Sequence, residues 1–321
     1  MRRRSLLAAP ALVALPARAQ PPWPQGAVRI VSPFTPGGAS DLSARFVAQA
    51  IQAATGASAV VENRTGAGGN IGMESVARSA PDGQSFVIAA AAAAINQTLY
   101  RNLTFDLLRD FAPVTVVIQV PNVLSVHPSV PARTATEFLA WARAQPGGIT
   151  YGSAGIGTIP HLAMEMLCRR AGIEATHVPF RGSAPTITEL IAGRLHAVLE
   201  NLPPQAGHLR AGTIRGLGIS SAERHPDFPE LTPLGAQLGW ADFAPVAWQA
   251  LMAPAGTPES VVSRVAAIVA AALSVEENAA RLRATGALPS GMPPATFRAF
   301  LAAEVAKWGE VVRATGATAA G

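Results

Sequence analysis

An α/β fold divided into two lobes is what this sequence predicts, and three observations carry the prediction. Apolar, β-branched runs alternate with amphipathic stretches along most of the chain. One unit, a strand followed by a glycine-rich turn and a helix, occurs twice, at residues 28–54 and 149–170. And the roughly 300 residues that remain after an N-terminal leader are too many for one ordinary core.

The leader comes first. "MRRRSLLAAPALVALPARAQ" has a basic start (Arg2, Arg3, Arg4), an apolar stretch from Leu6 to Pro16, and Ala17 and Ala19 on either side of Arg18. This reads as a secretory signal over residues 1–19, cleaved after Ala19. The apolar stretch is shorter than the ~20 residues a bilayer requires. The paired arginines leave both the general and the twin-arginine export routes open, and no cysteine follows to take a lipid. A periplasmic location is expected.

Beyond the leader, "AVRIVS" reads as a buried strand, and Leu42, Phe46, Ala50 and Ala54 recur every four residues along a helix. "ASAVVEN" gives a second strand, "NIGMESVARSA" a second helix and "QSFVIAA" a third strand, a βα alternation that argues for a parallel-rich sheet. The long run "APVTVVIQVPNVLSVHPSV" suits a strand leaving the first lobe. Thr134, with Glu137 three residues on, predicts a capping box for the helix "EFLAWARAQ". "ITYGSAG" then repeats the opening strand and glycine turn, with a helix from about His161. Strand "ATHVPF", helix "APTITELIAG" and strands "LHAVLEN" and "IRGLGIS" follow. Thr257 and Pro258 are expected at the N-cap and first turn of "ESVVSRVAAIVAAALS", and "PATFRAFLAAEVAKWGEVVRA" closes the chain as an amphipathic helix. The expected lobes are 26–124 with 226–321, and 125–225.

Charge and residue inventory exclude several functions. Four of the 25 basic residues are the leader's arginines, so the mature chain sets 21 against 20 acids. The remaining arginines are scattered and Lys307 is the sole lysine, which leaves no nucleic-acid surface. It also rules out a phosphate loop, which ends in Gly-Lys-Ser/Thr. "GAGGNIG" (Gly66–Gly72) has the wrong spacing for a dinucleotide fingerprint and follows the second strand rather than the first. "YGSAG" lacks the first glycine of a nucleophile elbow, because Tyr151 stands there. Ser153 and His161 leave a secreted serine hydrolase open, with no acid marked for a triad. The six histidines show no metal-ligand spacing, and no metal or other cofactor is expected. The single cysteine, Cys168, forms no disulfide within the chain and reads as a small buried hydrophobe.

What survives is anion binding. In "SPFTPGGASDLSAR" the backbone can approach a ligand closely at Gly37 and Gly38, and the N–H groups there and at Ala39 and Ser40 stand at a helix mouth whose dipole favours negative charge. Capping by Ser40 or Asp41 is the structural alternative. A carboxylate at that mouth repels an anion unless it holds water or accepts from a donor on the ligand, so Asp41 is the residue to test. A second mouth of this kind is expected at Gly152–Thr158.

Seven motifs in order resemble the solute-binding proteins of tripartite tricarboxylate transporters, the Bug family: "SPFTPGGASDLSAR", "VENRTGAGGNIGMESVARSAPDGQSF", "LTFDLLRDFAPVT", "ITYGSAGIGTIPHLAMEML", "VPFRGSAPTITELIAGRLHAVLENLPP", "GLGISSAERHPDFPELTPLG" and "LMAPAGTPESVV". The resemblance implies a two-lobed periplasmic binding protein, type II-like, with its ligand cleft between the lobes, and no enzymatic activity. It implies a small organic carboxylate as ligand: citrate-like acids, dicarboxylates, acidic amino acids or aromatic acids. It also implies large and small membrane transporter subunits as partners, or a sensor kinase if the same fold serves signalling; a monomer is expected. Two loops would hold one ligand carboxylate through backbone groups and ordered waters. They correspond to Phe34, Thr35, Pro36, Gly37, Gly38, Ala39, Ser40 and Asp41, and to Ser153, Ala154, Gly155, Thr158 and His161, with Asn201 near the cleft. Two departures stand out: alanines fill Ala89–Ala94 where the family often has Ser or Thr, and Glu200 replaces a common Asp. The alanines predict a less polar distal pocket, suited to a monocarboxylate or an apolar-tailed acid better than to citrate.

Overall fold

Val28, Ile30 and Val31 have no solvent exposure, because the strand they form, β1 (Val28–Ser32), lies inside a sheet covered on both faces. The computed structural model describes residues 23–34, 36–180 and 182–318, so the leader expected at 1–19 and Thr35 lie outside the described residues. From β1 the chain turns into α1 (Ala39–Thr55), which ends on Gly56 in the left-handed region. The stripe of α1 that enters the core is Ala44, Val47, Ala48 and Ile51. That corrects the predicted face: Leu42 and Phe46 are half-buried and Ala54 is exposed. Phe46, Ala50 and Ala54 instead border a groove of about 700 Å³ between the outer faces of α1 and a later helix. The larger residues Val47 and Ile51 decide the register, since each buries about 1.5–3 kcal/mol of apolar side chain.

β2 (Ala59–Asn63), a short 3₁₀ turn (Ala67–Gly69), α2 (Asn70–Ala77), β3 (Ser85–Ala90) and α3 (Ala91–Leu99) follow. β1 pairs in parallel with β2 on one side and β3 on the other. The first lobe is completed by β4 (Phe111–Val120) and, after an excursion, by late elements of the chain. The second sheet is built from β5 (Asn122–Val126), β6 (Ile149–Ser153), β7 (Ala175–Pro179), β8 (Ala197–Asn201) and β9 (Arg215–Ile219). Its helices are α4 (Ala135–Arg143), α5 (Ile159–Ala171), α6 (Ser183–Ile191), α7 (Leu202–Ala211) and α8 (Leu234–Leu238). The chain then returns through β10 (Ala247–Pro254), α9 (Glu259–Ser274), α10 (Glu276–Ala284), β11 (Leu288–Met292) and α11 (Pro294–Thr315).

The strand orders are β11-β4-β10-β3-β1-β2 and β7-β6-β8-β5-β9. Each sheet is mixed, with most strands parallel as the βα units predict: β10 and β11 run against the others in the first, and β5 runs antiparallel to β8 and β9 in the second. Within each, one strand has parallel neighbours on both sides, β1 between β3 and β2 and β6 between β8 and β7. The chain therefore leaves β1 toward one side and returns on the other, and does the same around β6. Such a reversal opens a crevice at the carboxyl end of the central strand, where open α/β sheets bind ligands.

The predicted long strand is broken at Pro121, which separates β4 in one sheet from β5 in the other. The chain changes sheet there and returns between β9 and β10, so residue 124 lies inside β5 of the second sheet. The segment after 226 still includes α8, which packs on α4 and β9. Asn122 ties the outgoing and returning segments together. Its amide donates to Pro245 O at 2.8 Å, its N–H to Ser220 Oγ at 2.9 Å, and its carbonyl accepts from Ser220 N–H at 2.8 Å. The Thr134 cap is present, its hydroxyl accepting from Glu137 N–H at 3.1 Å. Thr257 does not cap α9: Pro258 stands at the N-cap and the Thr257 hydroxyl donates to Pro254 O. Cys168 is buried, and burial pushes its thiol up to about 12, which suits packing rather than reactivity.

Candidate functional site

Both glycine loops leave the carboxyl ends of the central parallel strands, loop one from Ser32 and loop two from Ser153. In loop one, Gly37 takes φ +84° and Gly38 forms the N-cap of α1. Among the described residues no side chain caps this helix. The Ser40 side chain meets Ser32 Oγ at 3.0 Å. Asp41, 4% exposed, is also committed elsewhere: Oδ2 accepts from Gly37 N–H (3.0 Å) and Arg45 Nε (2.8 Å), and Oδ1 accepts from Asn63 Nδ2 (3.1 Å). The Arg45 hydrogen bond is the main reason the Asp41 carboxyl drops to about 2, with Gly37 and Asn63 adding to it against the cost of burial. Asp41 was expected to meet water or a donor on a ligand, but both its oxygens shape the loop instead. Asn63 also donates to Phe34 O at 3.0 Å, binding β2 to the loop. Asp41 thus takes the Gly37 N–H, one of the donors expected for an anion, whereas among the described residues no side chain accepts from the first N–H groups of α1, as an anion site requires.

The Gly66–Gly72 run, dismissed as a nucleotide motif, supports loop one from behind. A Cβ on Gly72 would fall 2.8 Å from both Pro33 Cβ and Arg64 O, and one on Gly69 3.1 Å from the Phe34 ring. Asn96 of α3 donates to Gly68 O (3.1 Å) and to Asn70 Oδ1 (2.8 Å). Phe34, Met73, Ala90 and Ala93 border a crevice too tight to admit a water molecule, which places the alanine run beside loop one.

Loop two is braced differently. Thr158 caps α5, accepting from His161 N–H at 3.4 Å and donating to Gly155 O at 2.7 Å. His161 Nδ1 accepts from Gly157 N–H at 3.2 Å. Ser153, fully buried, lies 2.7 Å from His177 Nε2, not against His161 as a Ser–His pair from spacing would have it. A nucleophile with no exposure cannot meet an ester, so this pair does not support hydrolysis. His177 stacks on two rings, Tyr151 at 4.9 Å and His161 at 4.0 Å, both near-parallel. Burial, then the His161 charge, lowers His177 to about 4; burial likewise lowers His161, so both are neutral at pH 7. Ala154 O accepts from Gly182 N–H at 3.1 Å, tying the loop to the start of α6.

α3 touches both loops: its first turn borders Phe34, and its last residue, Leu99, packs on Gly157. Asn201 ends β8, beside β6, and its Oδ1 is buried without a partner among the described residues. Its neighbour Glu200 is fully buried, with Oε1 accepting Asn201 N–H at 2.9 Å and Oε2 unpartnered. Burial lifts Glu200 to about 7; Asn201 N–H offsets part of this, as do Ser183 and Ala154, which stand nearby without a hydrogen bond of normal geometry to Oε2. Sequence reasoning missed Asn63, Arg45 and His177. The His177 position follows from its register opposite Tyr151, which no spacing rule reveals. The larger 700 Å³ groove includes no residue of either loop. Among the described residues no cluster of His, Cys, Asp or Glu is placed to hold a metal, and no helix is long and apolar enough to cross a membrane.

The comparison with known proteins decides the class. Residues 43–317 match the family described as "Tripartite tricarboxylate transporter family receptor". The chain belongs to this receptor family. It is 34% identical over 297 residues to BugT of Bordetella pertussis, covering 92% of this chain and 91% of that protein. Among solved structures, Rpa4515 of R. palustris with adipate is 36% identical, with a TM-score of 0.79, over 92% of this chain and 99% of the other. MatC of Rhodopseudomonas palustris with bound malate is 28% identical, with a TM-score of 0.74, over 90% and 100%. With its two sheets the chain has the two-lobed fold of periplasmic binding proteins such as BugD, a solved structure 27% identical to it with a TM-score of 0.75. As a receptor of this family, the chain serves transport of a small solute.

Proposed function

We propose that this receptor is exported, holds the carboxylate of a small acid between its two glycine loops, and delivers the closed form to membrane transporter subunits as a monomer, without catalysing a reaction. The observation that carries the reading is the mouth of α1, where Gly38 is the N-cap, Asp41 takes only the Gly37 N–H, and neither Ser40 nor Asp41 takes the first N–H groups of the helix itself. That leaves donors for an oxyanion where the helix dipole favours one. The adipate and malate of the two solved relatives support a carboxylate as ligand. Binding shifts the population toward closure only if both lobes touch the ligand, so loop two, with Ala154, Gly155, Thr158 and His161 held in place by the buried Ser153, supplies the opposing contacts. Asn201 lies beside this loop at the end of β8, and Asn122 marks the hinge. Lobe one is 23–121 with about 246–318, and lobe two is the segment between.

The wall beside loop one is formed by Phe34, Met73, Ala90 and Ala93, packed too closely to admit water, with Asn70 the sole polar side chain there among the described residues. This favours an acid with an apolar tail over citrate, whose three carboxylates need more donors. Thermal-shift and calorimetric titration with hexanoate, benzoate, adipate, malate and citrate test it, since a ligand that binds only the native state raises Tm by mass action. Stabilisation by hexanoate, benzoate or adipate is expected. Tight citrate binding with none of these would sink the apolar-tail reading, and no response to any acid would sink the carboxylate reading itself.

A further inference from the structure

His177 lies outside both loops, on β7, yet it touches both residues that fix the glycines of loop two. Ser153 Oγ has three partners: it accepts from Gly155 N–H (3.2 Å), donates to Gly155 O (3.1 Å), and lies 2.7 Å from His177 Nε2. A hydroxyl has one proton. With that proton on Gly155 O, the short contact is satisfied when Nε2–H donates to Ser153 Oγ. The ring braces the loop as well: at 4.0 Å and 19° it lies flat on His161, whose Nδ1 takes the Gly157 N–H. Tyr151 also stacks on His177, at 4.9 Å and 20°, and is itself anchored by its hydroxyl donating to Glu165 at 2.6 Å. Gly155 (φ +139°) and Gly157 (φ +75°) hold conformations that other residues rarely adopt, so the loop depends on such bracing.

We propose that His177 is a positioning residue of the ligand site, its Nε2–H donating to Ser153 and its ring supporting His161, so that the two glycines of loop two are held where a carboxylate is received. The inference rests on the reading that loop two contacts the carboxylate. It assigns His177 no contact with the ligand and no proton transfer.

Two variants separate the bond from the stack. His177→Phe keeps a flat ring against Tyr151 and His161 but cannot donate to Ser153. His177→Gln loses the ring but can place an amide N–H near the Nε2 position. With adipate as probe, calorimetry is expected to give about a tenfold weaker Kd for His177→Phe, the scale of one lost hydrogen bond, with the ligand-free Tm within a few degrees of wild type. His177→Gln is expected to stay within about threefold of wild type. Equal affinity for wild type and His177→Phe overturns the proposal, and so does a His177→Gln loss as large as that of the Phe variant.

Nitrogen-15 NMR of the ligand-free protein tests the same claim without an acid, so it stands even if adipate fails to bind wild type. The His177 ring is expected as the neutral Nε2–H tautomer at pH 7, and the Gly155 and Gly157 amide signals are expected to move in His177→Phe. An Nδ1–H tautomer, or unmoved glycine signals, overturns the positioning role. A wild type that responds to no acid, with these NMR results as expected, would instead refute the carboxylate site and leave the bracing intact.

Discussion

Glu200 and His177 should oppose each other in the pH dependence of stability, and removing one should expose the other. Glu200 is raised from 4.5 to about 7 by burial, so the folded protein holds a proton that the unfolded chain releases over that interval. Stability from this group is full below pH 4.5 and is lost as pH rises through 7. At 1.36 kcal/mol per unit the loss is about 3 kcal/mol, undiscounted because Glu200 is fully buried. His177 moves the other way, from 6.5 to about 4, so the unfolded chain binds a proton that the folded protein refuses. Its stability is full above pH 6.5 and is lost as pH falls through 4. The ring is only half-buried, and solvent screening reduces its share to about 1–2 kcal/mol. His161 and His225 are lowered by burial as well and add to the His177 side.

The wild-type curve between pH 4.5 and 7 is therefore flatter than either group alone would make it. Glu200→Gln removes the falling component. Urea unfolding at half-unit steps from pH 4.5 to 8 should show the variant gaining on wild type by about 3 kcal/mol across the range, its own stability now rising with pH toward 6.5. An amide at the unpartnered Oε2 position can shift the whole variant curve, but not its slope. The reasoning is refuted if the two curves stay parallel, which would mean that Glu200 does not titrate in this range. A gap that widens toward acid would refute the sign.

Asp41→Ala is expected to weaken acids with and without an amino or hydroxyl donor alike, by about tenfold in calorimetric Kd, because its oxygens hold Gly37, Arg45 and Asn63. A loss confined to donor-bearing acids would place Asp41 on the ligand. The same variant should flatten the acid limb of the stability curve, since the Asp41 contribution is full above 3.8 and is lost as pH falls through about 2. Gly157→Ala sets a Cβ 2.5 Å from Leu99 Cδ2 at φ +75°, and should cost about 1–3 kcal/mol in urea unfolding. Leu99→Ala in the same chain should recover the steric part but not the backbone part, so a fully additive double mutant would argue against the contact. Asn122→Ala leaves Pro245 O without its donor and should cost about 1–3 kcal/mol; an unchanged urea midpoint would show that the two crossing segments do not depend on this staple.

How much of this was readable in the residues follows from the range of the interactions involved. The two strand–glycine–helix units were visible because strand patterning, a glycine turn and helix periodicity are all local. The Thr134 cap was visible for the same reason, whereas Thr257 failed because Pro258 took the N-cap position and left the hydroxyl to Pro254. On α1 the four-residue spacing was sound but its phase was wrong. Leu42 and Phe46 are large enough to suggest a core face, yet Val47 and Ile51 lie where α1 meets β1. The site divides along the same line. The two glycine loops were legible as loops at strand ends because glycine turns are local and glycine announces them. The residues that set those loops in place, Asn63 from β2, Asn96 from α3 and His177 from β7, come from strands and helices whose pairing follows from sheet order. Asp41 shows the consequence most directly. Read alone, a carboxylate at an anion site looks like a ligand contact; once Asn63 and Arg45 are beside it, it is the bracket that holds the site open.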